Sequence, residues 1–294
     1  MKKLIILSLA CLSLLAACSK EGAPQKKGRI DQIFAEKQVL MDGVEQYTLP
    51  LRLVEQWNWE GNELYRIDYY EDQATYSENF FYNWRHQIVR TTVPAYDLES
   101  ELSYDGRLLT CLSIRWEGTE MLRYDLEHDK KGHVSCIRLW AASLASNEAF
   151  SLAQRRLGLD LGPDCAHLLA SKSAGEVSEY HLSWDHDDLV LIEWADNRCQ
   201  FSYSQLKNPF HQLYSLYLLD NNLLNLDLTM MSEHCLTLKD EKSDTRTRQT
   251  SFNFQMGSHD LPSECRSEYS YQGFDSDFNI VSFTVRERRQ YLYL

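Results

Sequence analysis

The sequence is poor in the two residues that most often interrupt strands, with 12 glycines and 6 prolines among 294 residues. It is also short of positive charge, because 30 lysines and arginines stand against 43 acidic residues and leave a formal net charge of −13. Phosphate repels a protein of that sign, so nucleic acid and anionic lipid surfaces are excluded as main partners. Aromatic residues are plentiful instead, and 17 tyrosines, 11 phenylalanines and 7 tryptophans favour half-buried β-sheet surfaces over helix bundles.

Signatures of the common enzyme classes are missing as well. The sequence contains no Gly-x-Ser-x-Gly nucleophile motif, no phosphate-binding glycine loop and no dinucleotide fingerprint. Ser232, His234 and Cys235 are neighbours along the chain, but adjacent residues of a strand face opposite sides, and a catalytic triad is assembled from distant positions. The sequence therefore favours a protein that is not an enzyme, and it predicts neither a cofactor nor a metal site.

The cysteines follow no Cys-x-x-Cys spacing, so a zinc ribbon or a thioredoxin-type redox site has no support. Cys111 and Cys136 occupy related positions in two similar segments and are predicted to lie on one face with Arg115 and Arg138, where a bridge between them is conceivable. Scattered buried thiols are the alternative to disulfides in an exported chain. Beyond residue 18 the cysteines are Cys111, Cys136, Cys165, Cys199, Cys235 and Cys265.

The chain begins with an export signal. Two lysines precede an apolar run from Leu4 to Leu15, and Leu15-Ala16-Ala17-Cys18 matches the box at which bacterial lipoproteins are cleaved and acylated. We expect a signal peptide over 1–17, lipid attachment at Cys18 and a flexible polar tether over 18–30. An ordinary signal peptide cleaved near Ala17 is the alternative. Ser19 after the cysteine favours an outer-membrane anchor, with the protein on the periplasmic or the cell-surface face.

Residues 31–294 read as successive β-hairpins. Each repeat has a strand that ends in an aromatic residue, a turn rich in Asp, Gly or Lys, and a second strand with alternating apolar residues. The predicted fold is mainly β, a large twisted antiparallel sheet or open barrel, with a small helical insertion around 147–170 inside 142–172. The four clearest hairpins are 101–116, 121–140, 179–194 and 267–285.

Tyr104-Asp105-Gly106-Arg107 represents the repeated turn. Asp-Gly favours a two-residue reversal, because glycine accepts positive φ and aspartate bonds its own backbone. We therefore predict a turn rather than a reactive cluster. Tyr104 is expected to pack its ring beside the sheet and to keep its hydroxyl in water.

At these Tyr-Asp turns the chain resembles the tyrosine–aspartate (YD/Rhs-like) repeats of secreted bacterial shell proteins, in the loose form found in a family of gut-bacterial lipoproteins with a porin-like sheet. A second match is Asn208-Pro209-Phe210 followed by Asn221-Asn222, which is similar to a segment of that family. The resemblance covers residues 60 to 294 and implies a twisted antiparallel fold and a cell-envelope address. It implies no activity. From the residues alone, Pro209 should end the preceding strand at Tyr203, and Phe210 should return the chain to the core.

Aromatic residues crowd the first third of the chain, and consecutive rings in a strand cannot all face one core. Either a second layer covers them or an exposed ring surface stacks on sugars or grips a partner protein. We take Trp57, Trp59, Phe81 and Trp84 as candidate binding residues. The predicted function is a membrane-anchored binding or scaffolding module of the envelope, with a glycan or an envelope protein as its ligand and no nucleic acid.

The alternative function is an extracellular glycan hydrolase. His181 and His186 accompany three aspartates at 185–188, and this density of His and Asp makes 181–188 the best candidate site in the chain. Two carboxyl groups at a suitable separation would support glycoside hydrolysis. The ligand spacing of known zinc motifs is absent, so a solvated acidic turn explains the same residues.

Overall fold

The computed structural model describes residues 29–70, 75–141, 177–211, 232–242, 247–257, 261–274 and 278–294. Within them lie sixteen β-strands and one short 3₁₀ turn at Pro94–Tyr96. None of these residues belongs to a helix long and apolar enough to cross a membrane. The strands are β1 (Ile30–Met41), β2 (Val44–Glu60), β3 (Glu63–Tyr70), β4 (Thr75–Tyr82), β5 (Ile88–Val93), β6 (Leu98–Asp105), β7 (Leu108–Trp116), β8 (Thr119–His128), β9 (Val134–Ala141), β10 (Val177–Asp185), β11 (Asp188–Trp194), β12 (Asn197–Lys207), β13 (His234–Lys242), β14 (Thr247–Met256), β15 (Pro262–Phe274) and β16 (Ile280–Tyr293).

The strands form one closed antiparallel barrel. Each strand pairs with its neighbours in sequence, and β1 pairs with β16 from Ile30 opposite Tyr293 to Met41 opposite Phe283. The predicted mainly β fold of successive hairpins is confirmed, and because its two edges meet, the sheet is a closed barrel rather than an open one. The predicted insertion at 142–172 lies outside the described residues.

All four predicted hairpins are confirmed as strand pairs, namely β6 with β7, β8 with β9, β10 with β11, and β15 with β16. In the first of them Asp105 pairs with Leu108, so the two-residue turn is Gly106-Arg107, one residue later than the predicted Asp-Gly turn, and Gly106 adopts φ +60°. The prediction for Tyr104 was half wrong. Its hydroxyl does not stay in water but donates to the backbone carbonyl of Ile88 at 2.7 Å.

The bond of Tyr104 is one of six equivalent hydrogen bonds at the barrel end that carries both chain termini. Each donor is an aromatic side chain on an even-numbered strand, three residues past the last residue of that strand that pairs with the preceding strand. Each acceptor is a backbone carbonyl on the preceding strand, two residues before the partner in that last pair. The ladder has ended there, so the side chain satisfies a carbonyl that no strand neighbour reaches. We call these residues the rim ring: Trp59 to Ile30, Tyr82 to Leu64, Tyr104 to Ile88, Trp184 to Val134, Tyr203 to Leu189 and Tyr293 to Pro262, at 2.6–2.8 Å.

Each of the eight even-numbered strands has a position equivalent to those of the rim ring, and two of the eight lack the hydrogen bond. The same register places His128 opposite the carbonyl of Leu109 and Phe254 opposite that of Leu236. Phe254 has no donor, and the buried Nε2 of His128 has no hydrogen-bond partner among the described residues. Burial lowers the pKa of His128. The barrel is thus eight copies of one hairpin unit, with a ring system at every rim position and a hydrogen bond at six.

The interior changes character around the barrel. We call the inner face of β3 to β12 the apolar arc, because nine of the eleven largest fully buried side chains lie there. Each such side chain contributes roughly 1.5–3 kcal/mol of transfer free energy. Those nine are Leu64, Ile67, Ile88, Leu112, Ile114, Tyr124, Ile137, Leu189 and Ile192.

We call the inner face of β13 to β16, β1 and β2 the polar arc. Strand alternation directs charged side chains inward there, and three ion pairs form on the inner face: Glu241 with Arg248 at 2.6 Å, Glu241 with Lys239 at 3.4 Å and Glu287 with Arg289 at 3.2 Å. The inward charged residues of the polar arc include Lys37, Glu55, Lys239, Glu241, Arg248, Glu287 and Arg289.

The outer wall is charged on almost every strand. Its ion pairs link neighbouring strands, for example Arg115 with Glu101 at 3.0 Å and Arg286 with Glu268 at 2.6 Å. Others lie within one strand, as Arg123 and Asp125 do at 3.0 Å. The residues that alternate with the buried core are therefore hydrated and paired.

Four strands of the polar arc extend past their neighbours at the end opposite the termini. The ladder of β2 with β3 ends at Glu55 opposite Tyr69, although β2 begins at Val44. The ladder of β14 with β15 ends at Thr250 opposite Tyr269, although β15 continues to Phe274. We call this four-stranded part of β2, β1, β16 and β15 the extension.

The described cysteines are all free thiols. Cys111 and Cys136 lie on the outer face with Arg115 and Arg138, as the sequence predicts, but β8 separates their strands, so the conceivable bridge between them is wrong. Neighbouring strands are about 4.8 Å apart, and two steps exceed the span of a disulfide.

Phe210 behaves as the sequence predicts, whereas the strand before Pro209 continues four residues past Tyr203, its predicted end. Strand β12 ends at Lys207, and the Asn208 side chain accepts a hydrogen bond from the backbone N–H of Phe210 at 3.0 Å. The Phe210 ring then packs edge-on against Tyr291 with 5.8 Å between ring centres. The chain therefore turns back toward the core at the rim ring.

Candidate functional site

The most distinctive group of side chains lies on the inner wall of the polar arc. Strand β16 directs Glu287 and Arg289 inward, and β2 directs Glu55 toward the same space. Arg289 Nη2 lies 3.2 Å from Glu287 Oε1, and Trp57 Nε1 donates to Glu55 at 2.9 Å. The side chain of Arg289 is 46% exposed and that of Glu287 is 32% exposed, so water reaches this inner wall.

The two carboxylates are held in different protonation environments. Burial raises the pKa of Glu55, and Arg289 and the Trp57 hydrogen bond only partly oppose that rise. The charge of Glu287 raises the pKa of Arg289 further, so the guanidinium is permanently charged. The wall therefore offers a carboxyl group that protonates readily beside a fixed ion pair.

A strip of aromatic rings continues this wall into the extension. Tyr269 and Tyr271 are 6.2 Å apart on β15, and Tyr271 lies 5.2 Å from Phe283 on β16 with 17° between ring planes. Arg248 stands over Tyr269 at 5.4 Å. A Cβ at Gly273 would come within 2.9 Å of the Phe283 ring, so glycine is what lets that ring lie across β15.

Two of the predicted binding residues face the interior. Trp57 is 3% exposed and stacks near Trp59, with 6.3 Å between ring centres. Trp59 belongs to the rim ring through its bond to Ile30. Both rings hold the barrel together at these positions.

The other two predicted residues are on the outside. Phe81 points outward from β4 and is covered by Arg90 at 4.2 Å. Trp84 is 81% exposed in the turn between β4 and β5, with Arg85 at 4.6 Å from its ring. The structure therefore does not gather the four rings into one patch, and their role in binding stays a prediction. The predicted lipid attachment site, Cys18, lies outside the described residues.

The acidic turn at 185–188 borders a crevice of about 240 Å³. His234 Nδ1 lies 2.8 Å from Asp188, whose other oxygen accepts the His234 backbone N–H at 3.0 Å. Asp185 and Ser204 also line the crevice. Asp188 thus orients a histidine and does not stand as a free carboxylate.

The two histidines near the predicted acidic turn, His181 and His186, do not lie in one site with Asp188. His181 points outward from β10, and His186 pairs with the exposed Asp185 at 2.8 Å. Across the described ranges no group of three His, Cys, Asp or Glu side chains is arranged to hold a metal ion. What sequence reasoning missed is the polar arc, whose signal in 283–291 is a run of charged residues, 286–289, between Phe283 and Tyr291.

No protein-family model matches this sequence, and no curated protein matches it. Among solved structures the chain is similar to a porin-like protein from Bacteroides uniformis, with a TM-score of 0.49 and 10% identity over 93% of this chain and 100% of that chain. The comparisons show no family, and the resemblance to tyrosine–aspartate repeat lipoproteins stays a prediction.

Proposed function

We propose that the protein is a lipid-anchored binding module of the cell envelope whose barrel stands in water and takes its ligand on the inner wall of the polar arc. The observation that carries the proposal is the contrast between the two walls. The outer wall is charged on most strands, whereas the inner wall combines a half-exposed ion pair with a strip of rings.

The outer wall argues against a barrel embedded in lipid. A transmembrane barrel presents an apolar band about 25 Å tall, and an arginine or lysine facing the bilayer midplane costs about 2–4 kcal/mol. Here Arg115, Arg123 and Arg286 point outward from different strands, each beside a carboxylate. Many such positions would have to be desolvated at once, so the wall is suited to water.

The position of the termini fits an anchored barrel. The backbone N–H of Leu294 bonds to the carbonyl of Arg29 at 2.9 Å, so both ends of the barrel chain meet at the rim ring. A tether from Cys18 to Arg29 reaches at most roughly 40 Å at about 3.3 Å per residue. On this arrangement the rim ring faces the membrane, and the extension with its aromatic strip faces away.

Hydrogen–deuterium exchange tests the binding wall. The chain from residue 19 onward would be incubated separately with peptidoglycan fragments, soluble polysaccharides and envelope-protein peptides. We expect one class to slow amide exchange in β15, β16, β1 and β2. Protection confined to the outer wall or to the turn that carries Trp84 would contradict the proposal.

Lipid attachment is tested by substitution. Cys18→Ser should abolish labelling by a fatty-acid probe and release the protein from the membrane fraction, because no acyl chain is then attached. A Cys111→Ser variant is the matched control and should keep its label. Labelling of Cys18→Ser at the wild-type level would reject the anchor.

A hydrolase remains a second candidate function because Asp185, Asp188 and His234 line one crevice. If the crevice cleaves glycans, Asp188→Asn should abolish release of reducing ends from a soluble polysaccharide, since His234 loses its orienting carboxylate. Glu193→Gln on the same strand is the control. Release that is equal in Asp188→Asn and wild type would remove this candidate.

A further inference from the structure

We infer that the ligand of the inner wall is a neutral glycan chain, stacked on the rings of Tyr269, Tyr271 and Phe283 and hydrogen-bonded by Glu287, Arg289 and Glu55. This inference rests on the proposed function and names its ligand. It follows from the order of side chains along the wall.

The aromatic strip provides the apolar part of the site. Its three rings are half-buried, and the angles between neighbouring ring planes are only 26° and 17°, so they form a continuous strip along the wall. Sugar rings carry C–H faces that pack on aromatic rings, with hydroxyls around their edges. A ligand with both an apolar face and a polar edge suits this strip better than a purely apolar one.

The polar part of the site follows on the same strand. Two-residue alternation along β16 places Phe283, Val285, Glu287, Arg289 and Tyr291 on one inner line, which spans roughly 27 Å at about 3.4 Å per residue. Rings therefore come first from the extension inward, and the ion pair follows. A chain molecule that stacks near the mouth would reach the charged groups with its next units.

The ion pair suits hydroxyl groups. Arg289 donates through both Nε and Nη2 to the same oxygen of Glu287, Oε1, at 3.2 Å, which fixes the guanidinium beside that carboxylate. Such a pair presents fixed donors and acceptors side by side, an arrangement that matches adjacent hydroxyls of a sugar. Glu55 adds a carboxyl group whose protonated form donates as well as accepts.

Charge selects a neutral glycan over an acidic one. The chain carries a formal net charge of −13, which repels a polyanion at long range. Within the wall, inward cations have carboxylates beside them. Arg289 pairs with Glu287, Lys239 and Arg248 pair with Glu241, and Lys37 lies opposite Glu287 across the ladder of β1 with β16. A carboxylated sugar would have to compete with these carboxylates for the cations. The alternative occupants, an acidic glycan and an extended peptide, are outcomes of the test.

Affinity electrophoresis tests the inference with the chain from residue 19 onward. Native gels would contain galactomannan, hydroxyethyl cellulose or polygalacturonate. We expect retardation by a neutral polymer and none by polygalacturonate, with affinity lowered about tenfold or more in Tyr271→Ala, since tenfold corresponds to 1.4 kcal/mol. Gly273→Ala should weaken retardation too, because its Cβ displaces the Phe283 ring.

Phe81→Ala is the matched control, since it removes a ring from the outer wall and should leave retardation unchanged. Far-UV circular dichroism and urea unfolding would verify that each variant is folded. Retardation by polygalacturonate alone, or an equal loss in Phe81→Ala and Tyr271→Ala, would overturn the inference.

The exchange experiment separates this inference from the proposed function. If peptides protect β15, β16, β1 and β2 while no neutral polysaccharide retards the protein, the glycan assignment fails and the binding wall stands. If no ligand class protects these strands, both fail.

Discussion

The apolar arc and the polar arc are built from the same hairpin unit but have different roles. In β3 to β12 most inward residues are aliphatic or aromatic and are packed away from water, as Leu112 and Ile192 are at 0% exposure, and Glu78, Thr91 and Ser100 are buried polar exceptions. In the polar arc the same inward positions carry Glu55, Glu287 and Arg289. The comparison teaches that the repeat defines the barrel, while the inward residue at each position decides whether a strand stabilises the protein or forms a site.

The largest expected effect is in the apolar arc. Leu112→Ala should lower the free energy of unfolding by about 2–5 kcal/mol, because a fully buried leucine leaves a cavity. Leu108→Ala on the same strand is the control and should cost much less, since Leu108 is 38% exposed. Urea unfolding measures both, and equal losses would mean that the inner face of β7 is not the core.

The rim ring gives the next largest effect. Tyr82→Phe should cost about 1–3 kcal/mol, because the carbonyl of Leu64 loses its donor. Phe254→Tyr is the converse change, since it adds a hydroxyl at a position that lacks one. It should stabilise the protein by about 1 kcal/mol. A Tyr82→Phe variant as stable as wild type would show that the rim bonds contribute nothing.

The two walls should respond to pH with opposite sign. Burial raises the pKa of Glu55 above 4.5, so the wild type loses stability as pH rises from 4.5 through the raised value. Glu55→Gln has no ionisable group at this position and avoids that loss. The free energy of unfolding of the variant should therefore rise relative to that of the wild type as pH increases across this range. Gln still accepts the Trp57 hydrogen bond. Thermal unfolding at a series of pH values measures the difference.

Glu264 on the outer wall is the matched comparison, because its pKa is shifted in the opposite direction. Burial alone would raise its pKa, but hydrogen bonds from Arg288 and Arg266 lower it below 4.5. Its stabilisation is therefore present above 4.5 and is lost as pH falls through the lowered value. Glu264→Gln should be less stable than wild type near neutral pH, with the gap closing in acid. The same slope in both variants would refute the distinction between the walls.

The smallest effect is expected on the outer wall. Asp125→Asn breaks the ion pair with Arg123, and both side chains are 40% or more exposed. An exposed pair of this kind contributes about 0–1 kcal/mol, and less at high salt. A loss of several kcal/mol in urea unfolding would mean that this wall is not in water.

Sequence reasoning found the fold because its signals are local. Asp105-Gly106 marks a turn, and Ile67 and Tyr69 alternate with Arg66 and Asp68 as the strand period requires. Even there one residue departs. The same alternation would place Tyr65 on the buried face with Ile67, but Tyr65 is 45% exposed, because β2 and β3 shift register between Asn58 and Trp59.

The candidate site has no comparable local signal in the sequence. Arg289 looks like any charged residue of a solvated strand until β1 is known to close the barrel beside it. Trp57 and Phe81 are predicted as binding residues from the density of aromatic residues in the first third of the chain. That density does not indicate which face of the sheet each ring lies on. Closure is a non-local event between the first and last strands, and no local pattern encodes it.

The most direct test of the account is the behaviour of the chain from residue 19 onward, which lacks Cys18, in detergent-free buffer and at a planar bilayer. We predict a folded β-protein that elutes as a single species without detergent and produces no conductance, because its outer wall is suited to water. A protein that aggregates unless detergent is present and that inserts with stepwise conductance would contradict it.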